Sequence, residues 1–235
     1  DAEDVARVMA KYDLEAIPVV DEMKRLVGRI TIDDIVDFIR EEADKDYQMA
    51  AGISEDIDTS ASIGQMIRAR LPWLILALLG GFIAVRVAGT FEPAMEKFGV
   101  LFFFTPLIAA MAGNVGVQSS AIIVQGLANG TLSGSVFQRL FKELGLSLLN
   151  GMILAIILFL GSHFILGHDY LIGLTVSISL MSVILMASFI GTFVPIVLDR
   201  YKIDPALATG PFITTSNDIF GILIYFMIAK MVLGI

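Results

Sequence analysis

The chain has 235 residues, 56% of them hydrophobic, and a mean hydropathy of +0.81, a composition outside soluble globular usage that predicts a membrane protein. Residues 1–70 carry 9 basic and 17 acidic side chains and residues 71–235 carry 7 of each, so an acidic, water-facing segment precedes an apolar one. The acidic segment disfavours nucleic acid as a partner and suits divalent cations, and the lack of cysteine excludes disulfides, zinc–thiolate sites and iron–sulfur clusters.

Residues 1–40 have the mixed pattern of a partial α/β domain. A helical stretch is followed by a short buried strand at 16–20, a turn, a second strand at 26–30 and a helix that Thr31 caps. Forty residues are too few to bury a self-sufficient core, so we expect them to belong to a larger domain. The first residue is Asp and no signal-peptide pattern precedes the acidic segment, so we expect a fragment whose N-terminal part has been removed.

Residues 41–68 predict a connecting helix that reaches the membrane surface, ahead of a membrane domain over residues 69–235. Five apolar segments of that domain are long enough to cross about 30 Å of hydrocarbon. They lie near residues 71–88, 98–127, 144–166, 171–198 and 206–233. The predicted fold class is therefore mainly α: a five-span polytopic α-helical membrane domain preceded by a partial α/β domain and a connecting helix.

Basic residues between the spans set the predicted orientation. Six lie on the side of the N-terminal segment and three lie on the opposite side. The first group is Arg68, Arg70, Arg139, Lys142, Arg200 and Lys202, and the second is Arg86, Lys97 and Lys230. By the positive-inside rule the N-terminus is expected in the cytoplasm, and an odd number of spans then places the C-terminus outside.

Asp218 is the most informative residue, because it lies deep in the last apolar segment beside Thr214, Thr215 and Asn217. A charged carboxylate at the centre of a span costs roughly 2.5–3.5 kcal/mol even on insertion scales. One interpretation is a cation site on a permeation path, and the other is a protonated aspartate hydrogen-bonded to a neighbouring helix. The other acidic residues of the membrane domain, Glu143 included, are predicted in loops or at helix ends. In a two-fold dimer, two Asp218 carboxylates would face each other and could bind a hydrated ion such as Mg²⁺, but the residues alone predict a cation pathway of unspecified type.

The second apolar segment contains Pro106, Gly113, Asn114, Gly116 and Gln118, and we expect them to break its helix. Asn114 and Gln118 are four residues apart, which places both amides on one helical face. Irregular backbone at membrane depth is tolerated only where it is buried in protein or lines a wet cavity. The segment therefore either lines a pore or forms a small-residue helix–helix interface with amide hydrogen bonds, and the two can coexist.

No constellation of residues indicates an enzyme. His163 and His168 are five residues apart in a predicted outer loop, where a surface role is favoured over a metal site. No glycine-rich phosphate-binding fingerprint follows a strand, so the membrane domain is predicted to lack a nucleotide site.

Several motifs together resemble the C-terminal part of the bacterial MgtE magnesium channel family. Residues 16–37 resemble the end of a second cystathionine-β-synthase (CBS) domain, and residues 41–73 resemble the family's plug helix and its approach to the first span. Gly113-Asn-Val-Gly-Val-Gln118 and Thr215-Ser-Asn-Asp218 match the motifs of the second and fifth spans. Lys45 departs from the family, which usually offers a carboxylate there.

The resemblance implies a homodimer of ten spans in the plasma membrane, in contact with lipid, with a pore on the two-fold axis and Asp218 binding hydrated Mg²⁺. The candidate pore-lining residues are Gly113, Asn114, Gly116, Gln118, Thr214, Thr215 and Asn217. It also implies a cytosolic gate, in which Mg²⁺ bridges acidic surfaces and holds the plug helices closed. The aligned sensing positions are Asp1, Glu3, Ala10 through its carbonyl, Asp13, Asp34, Asp37, Glu42, Asp46 and Asp204.

Two other classes of function are compatible with the sequence. A cation-coupled secondary transporter would use Asp218 as its exchange carboxylate, and its transport would follow the protonation of that group. A non-transporting divalent-cation sensor would retain its function after Asp218→Ala.

Overall fold

A computed structural model describes residues 2–54, 57–132, 135–208 and 210–234. Its N-terminal part consists of helix α1 (Ala2–Tyr12), strands β1 (Ala16–Val20) and β2 (Leu26–Thr31), and helix α2 (Ile32–Ala50). The two strands pair antiparallel, with Ala16 opposite Thr31 and a register shift between Val19 and Val20. Both predicted strands are confirmed, and so is Thr31 as the residue that caps the following helix.

This N-terminal part buries little of its apolar surface. Met9 of α1 and Ile35 of α2 are buried side chains. In contrast, Met23, Leu26 and Val27 of the hairpin are 75%, 72% and 62% exposed. The expectation of a buried strand at 16–20 is wrong for this chain, because most of β1 is exposed. Whether residues 1–40 are part of a larger domain stays a prediction.

The connection to the membrane part differs from the prediction. α2 continues through residue 40 as far as Ala50, because residues 38–50 contain neither proline nor glycine to stop it. The expected boundary between partial domain and connecting helix therefore falls inside one helix. Beyond it, the Gln48 amide donates a hydrogen bond to the Ile57 carbonyl at 3.0 Å and accepts one from the Ile57 N–H at 3.1 Å. Ser62 then caps helix α3 (Ile63–Gly89), which continues into the first span.

Five helices of the described chain have the length and composition of membrane spans, as predicted. After α3 come the short helix α4 (Glu92–Lys97), α5 (Val100–Ala128), α6 (Val136–Leu160, extended by a π-helical turn at Gly161–Ile165), α7 (Tyr170–Arg200) and α8 (Pro211–Leu233). The third span starts at Val136, not at residue 144 as expected. The π-helical turn contains His163, which was expected in a loop.

α7 is the centre of the membrane bundle. It packs against α5, α6 and α8, whereas α3 packs mainly against α8. The core includes Leu180 and Ile184 of α7, Ile108 of α5 and Phe226 of α8. At one end of this core, the Tyr225 hydroxyl donates a hydrogen bond to the carbonyl of Leu101 at 2.8 Å. α5 and α8 therefore lie side by side against α7.

The predicted break in the second span is wrong, because α5 is one continuous helix. Pro106 lies in its second turn, where it removes a single backbone hydrogen bond. The glycines allow neighbouring helices to pack closely and do not interrupt the helix. A Cβ atom at Gly191 of α7 would lie 3.1 Å from the Cα of Gly116, so the backbones of α5 and α7 are in close contact there.

Candidate permeation site

Asp218 lies two turns into α8. The helix starts at Gly210 and carries Pro211 at its first position, where the missing N–H has no intrahelical role. Asp218 is half-buried. None of the basic residues in the described ranges forms an ion pair with it. α8 therefore carries a carboxylate at membrane depth without a cationic partner from the described part of the chain.

Two threonines fix the direction in which Asp218 faces. Thr214 contacts α5: a Cβ atom at Gly113 would lie 3.6 Å from its Cγ2. Thr215 contacts α3, since its methyl group occupies the space beside Gly80. Asp218 follows these residues by four and three positions, about one helical turn, so it lies between the two contacts on the surface of α8. The predicted pore-lining set is thus divided, with Thr214 facing α5 and Thr215 facing α3.

Asn217 is fully buried against Gly116. A Cβ atom at Gly116 would overlap the Asn217 amide and would lie 2.8 Å from Cγ2 of Ile213, so only glycine fits here without a shift. Neither Nδ2 nor Oδ1 of Asn217 has a hydrogen-bond partner among the described residues. Leaving a buried polar group unpaired costs about 1–3 kcal/mol. Asn217 is therefore enclosed between α8 and α5 with hydrogen-bonding capacity that the described residues do not use.

Asn114 and Gln118 lie on another face of α5. Together with Asn150 of α6 they line a groove of about 300 Å³ between the two helices. The prediction that both amides share one face is confirmed. They are not on the side that contacts α8, where Gly113 and Gly116 lie. The sequence analysis did not single out Asn150 as a site residue. An asparagine inside a long apolar segment is the sequence feature that could have identified it.

A second carboxylate lies inside a spanning helix, contrary to expectation. α6 begins at Val136, so Glu143 is two turns inside the helix, and it is half-buried. It accepts a hydrogen bond of 2.8 Å from the hydroxyl of Ser119 in α5. Ser119 in turn lies 3.4 Å from the hydroxyl of Ser188 in α7. This polar bridge links three helices, and it was missed because the apolar run that marks the span starts only after Glu143.

The predicted sensing residues are spread over the N-terminal part and the last interhelical loop. Ala10, Asp13, Asp37 and Asp204 are exposed, and Glu42 and Asp46 are half-buried. Asp1 lies outside the described residues, and Glu3 is described only as part of α1. Within the described ranges, no group of three or more His, Asp or Glu side chains could hold a metal ion.

Two of these acidic residues have local partners. Asp34 accepts hydrogen bonds from the hydroxyl and the N–H of Thr31, at 2.6 and 2.8 Å, and these bonds hold the pKa of its carboxyl below the ordinary value of 3.8. Glu42 forms an ion pair of 3.3 Å with Lys45, the residue that departs from the family pattern. Both carboxylates therefore already have local partners with which Mg²⁺ would have to compete.

The end of α2 touches the start of α8. A Cβ atom at Gly210 would overlap the carbonyl of Ala50, and one at Gly52 would lie 2.5 Å from Cγ of Pro211. Gly52 and Gly210 have φ angles of +78° and +59°, which side chains rarely adopt. The end of α2 is therefore in direct contact with the start of the helix that carries Asp218.

Five spanning helices with carboxylates and amides between them define a multi-pass α-helical membrane protein of the transporter type. The family model MgtE, described as a divalent cation transporter, matches residues 105–228, and a CBS domain model matches residues 1–41. The chain belongs to the MgtE family of divalent cation transporters, which are not enzymes. The resemblance found in the sequence motifs is confirmed.

Three curated relatives are magnesium transporters by name. The chain is 41% identical over 232 residues to the magnesium transporter MgtE of Bacillus subtilis (strain 168). It is 35% identical to those of Thermus thermophilus, over 236 residues, and Enterococcus faecalis, over 234 residues. The alignments cover 97%, 99% and 98% of this chain but 51%, 52% and 51% of the relatives. The chain thus spans about half the length of the curated relatives it matches.

Proposed function

We propose that this chain forms the membrane pore of a Mg²⁺ channel in the plasma membrane, with Asp218 binding the hydrated ion. The observation that carries the proposal is the half-buried Asp218 carboxylate, which has no cationic partner in the described part of the chain. A charge at this depth is tolerated where it faces a polar path or a permeant counter-ion. The names of the relatives support Mg²⁺ as the cargo.

The ion is proposed to keep its water shell. Mg²⁺ dehydrates reluctantly and prefers octahedral oxygen ligands, and one carboxylate cannot replace six waters. The oxygens of the Asp218 carboxylate can accept hydrogen bonds from coordinated water, so the ion would be held through its shell. Selection would then depend on the size and charge of the site and not on stripping the hydration shell.

The pore is proposed to lie on the axis of a homodimer. A single chain offers one Asp218, whereas a two-fold axis brings two carboxylates to one site. One face of α5 supports this arrangement: Pro106 and Ala110 are exposed on it. A second copy packed on this face would enclose the path between α5 and α8.

The N-terminal part is proposed to be a cytoplasmic Mg²⁺-sensing gate. The distribution of basic residues supports a cytoplasmic N-terminus and an external C-terminus. Mg²⁺ bridging of the acidic positions in α1, α2 and the loop at Asp204 would favour a closed state, because like charges resist apposition until a cation neutralises them. The contact between Ala50 and Gly210 is the proposed route from this gate to α8.

The direct test is Mg²⁺ flux into proteoliposomes under an applied voltage, for the parent chain, Asp218→Asn and the control Asp169→Asn. Asp169 caps α7 outside the bundle, and asparagine can replace it as a cap. We expect flux to collapse in Asp218→Asn alone. Unchanged flux in that variant would remove Asp218 from the path. Flux that follows a proton gradient at zero voltage would identify a coupled transporter instead.

A further inference from the structure

We propose that the groove between α5 and α6 is a second binding site for a hydrated divalent cation, distinct from the Asp218 site. The inference rests on the proposed Mg²⁺ transport and adds a second binding site for the same ion. The groove is lined by three amides, from Asn114 and Gln118 of α5 and Asn150 of α6.

The three amide side chains lie where polar groups are energetically unfavourable. All three are exposed on the membrane-spanning part of this chain, in helices that are otherwise apolar. Polar groups that face hydrocarbon lose their hydrogen bonds to water, so they are retained where they face one another or a wet cavity. Here they converge from two helices on one cavity, and none of the three side chains forms a hydrogen bond with another residue in the described ranges.

The groove has the size and the chemistry for a hydrated ion. Six waters occupy roughly 180 Å³ at about 30 Å³ each, and the groove has a volume of about 300 Å³. Amide oxygens accept hydrogen bonds from coordinated water, which suits Mg²⁺ because it keeps its shell. The remaining walls are apolar, from Met111, Val115, Ile153 and Leu154, so the amides alone would orient the ion.

Glu143 supplies the negative charge. It precedes Asn150 by seven residues, about two turns, and therefore lies on the same face of α6. Its hydrogen bond with Ser119 places the carboxylate on the seam between α5 and α6, about two turns of α6 from Asn150 and outside the lining of the groove itself. Arg139, one turn before Glu143, lies beside Gly126 and forms no ion pair with Glu143 in the described ranges. The carboxylate is thus free to attract a cation along the seam.

The test uses hexaamminecobalt(III), an inert complex that resembles hydrated Mg²⁺ in size, bound to the full chain in nanodiscs at physiological salt. Asp218→Asn serves as the background, so that the proposed pore site does not contribute. In that background we expect Asn150→Leu and Glu143→Gln each to weaken binding at the groove by about tenfold or more, since hydrogen bonds to charged groups contribute about 1.5–3 kcal/mol. Asn150→Asp is expected to tighten binding, a result that a misfolded protein would not give.

Thr175→Val is the matched control. It removes a hydroxyl at membrane depth that is bonded at 2.7 Å to the Leu171 carbonyl of its own helix, so binding is expected to stay unchanged. Binding that is the same in Asn150→Leu, Glu143→Gln and Asn150→Asp would overturn the inference. Undiminished Mg²⁺ flux in Asp218→Asn would instead overturn the proposed pore site, so the two failures are distinguishable.

Discussion

Gly116→Ala tests whether the close approach of α5, α7 and α8 supports the Asp218 site. The added Cβ would overlap the Asn217 amide and lie 2.8 Å from Ile213, both in α8. Because ordinary carbon–carbon contacts are near 3.5–4.0 Å, these two side chains or α8 itself must shift by several tenths of an ångström or more. The same turn of α8 carries Asp218, so the substitution displaces the proposed ion ligand as well.

The expected cost follows from overpacking of a tight core, about 1–3 kcal/mol. For a chain of this size, each 1 kcal/mol corresponds to a decrease of about 2–4 °C in melting temperature, so a decrease of roughly 2–12 °C is expected. The assay is thermal unfolding of the protein in detergent, followed by Mg²⁺ flux in proteoliposomes, and flux is expected to fall.

Gly113→Ala is the matched control, because a Cβ there would lie 3.6 Å from Thr214, an ordinary contact. It is expected to be neutral or stabilising, since alanine is favoured over glycine in a helix by about 0.5–1 kcal/mol. Adding Asn217→Ala to Gly116→Ala is expected to restore part of the stability, because it removes the overlapping amide. Equal stability of Gly113→Ala and Gly116→Ala would refute the packing argument.

Three further predictions concern other parts of the chain. Ser119→Ala is expected to lower the free energy of unfolding by about 1.5–3 kcal/mol, because it removes the hydrogen bond to Glu143. Ser120→Ala is the control, because the Ser120 hydroxyl is buried without a hydrogen-bond partner in the described residues, and it is expected to leave the free energy of unfolding unchanged. Equal decreases in the free energy of unfolding for Ser119→Ala and Ser120→Ala, measured with denaturant, would contradict this prediction. Gly210→Ala is expected to weaken inhibition of flux by internal Mg²⁺, since it strains the backbone and disturbs the contact with Ala50. Gly130→Ala, which strains a similar φ of +61° but meets no neighbour, is the control, and equal behaviour of the two would refute the role of the contact. Hydrogen bonds from Thr31 lower the pKa of Asp34 below its ordinary value of 3.8. The ionised carboxylate therefore stabilises the first turn of α2 fully at pH values above 3.8, and this stabilisation is lost as the pH falls through the lowered pKa. Hydrogen-exchange protection of that turn is therefore expected to fall in acid in the parent, and a similar fall in Asp34→Asn would disprove the assignment.

Local patterns were enough to predict most of the elements. Short apolar runs on either side of a turn located both strands, Thr31 marked the start of α2, and apolar length located five spans. The errors came from features that a local pattern does not contain. The third span was expected to start at residue 144 and starts at Val136, because the first two turns of α6 precede its apolar run. The domain boundary at residue 40 stays a prediction: it falls inside α2, and the CBS model matches residues 1–41.

The candidate site was only partly predictable. The cost of a buried charge singled out Asp218, and helical spacing placed Asn114 and Gln118 on one face. The break predicted at Pro106 was wrong because Gly113 and Gly116 serve contacts between helices, and a single sequence does not reveal which helices meet. For the same reason Asn150 and Glu143, which complete the seam between α5 and α6, could not be assigned partners from the sequence.

Accessibility of position 218 tests the central proposal most directly. The chain has no cysteine, so Asp218→Cys creates a single thiol that a cationic methanethiosulfonate reagent can label in liposomes whether or not the variant transports. We expect rapid labelling that Mg²⁺ slows, whereas Thr215→Cys, packed beside Gly80 of α3, is expected to be protected. If position 218 resists labelling, or if Mg²⁺ has no effect on the rate, Asp218 does not lie on the ion path.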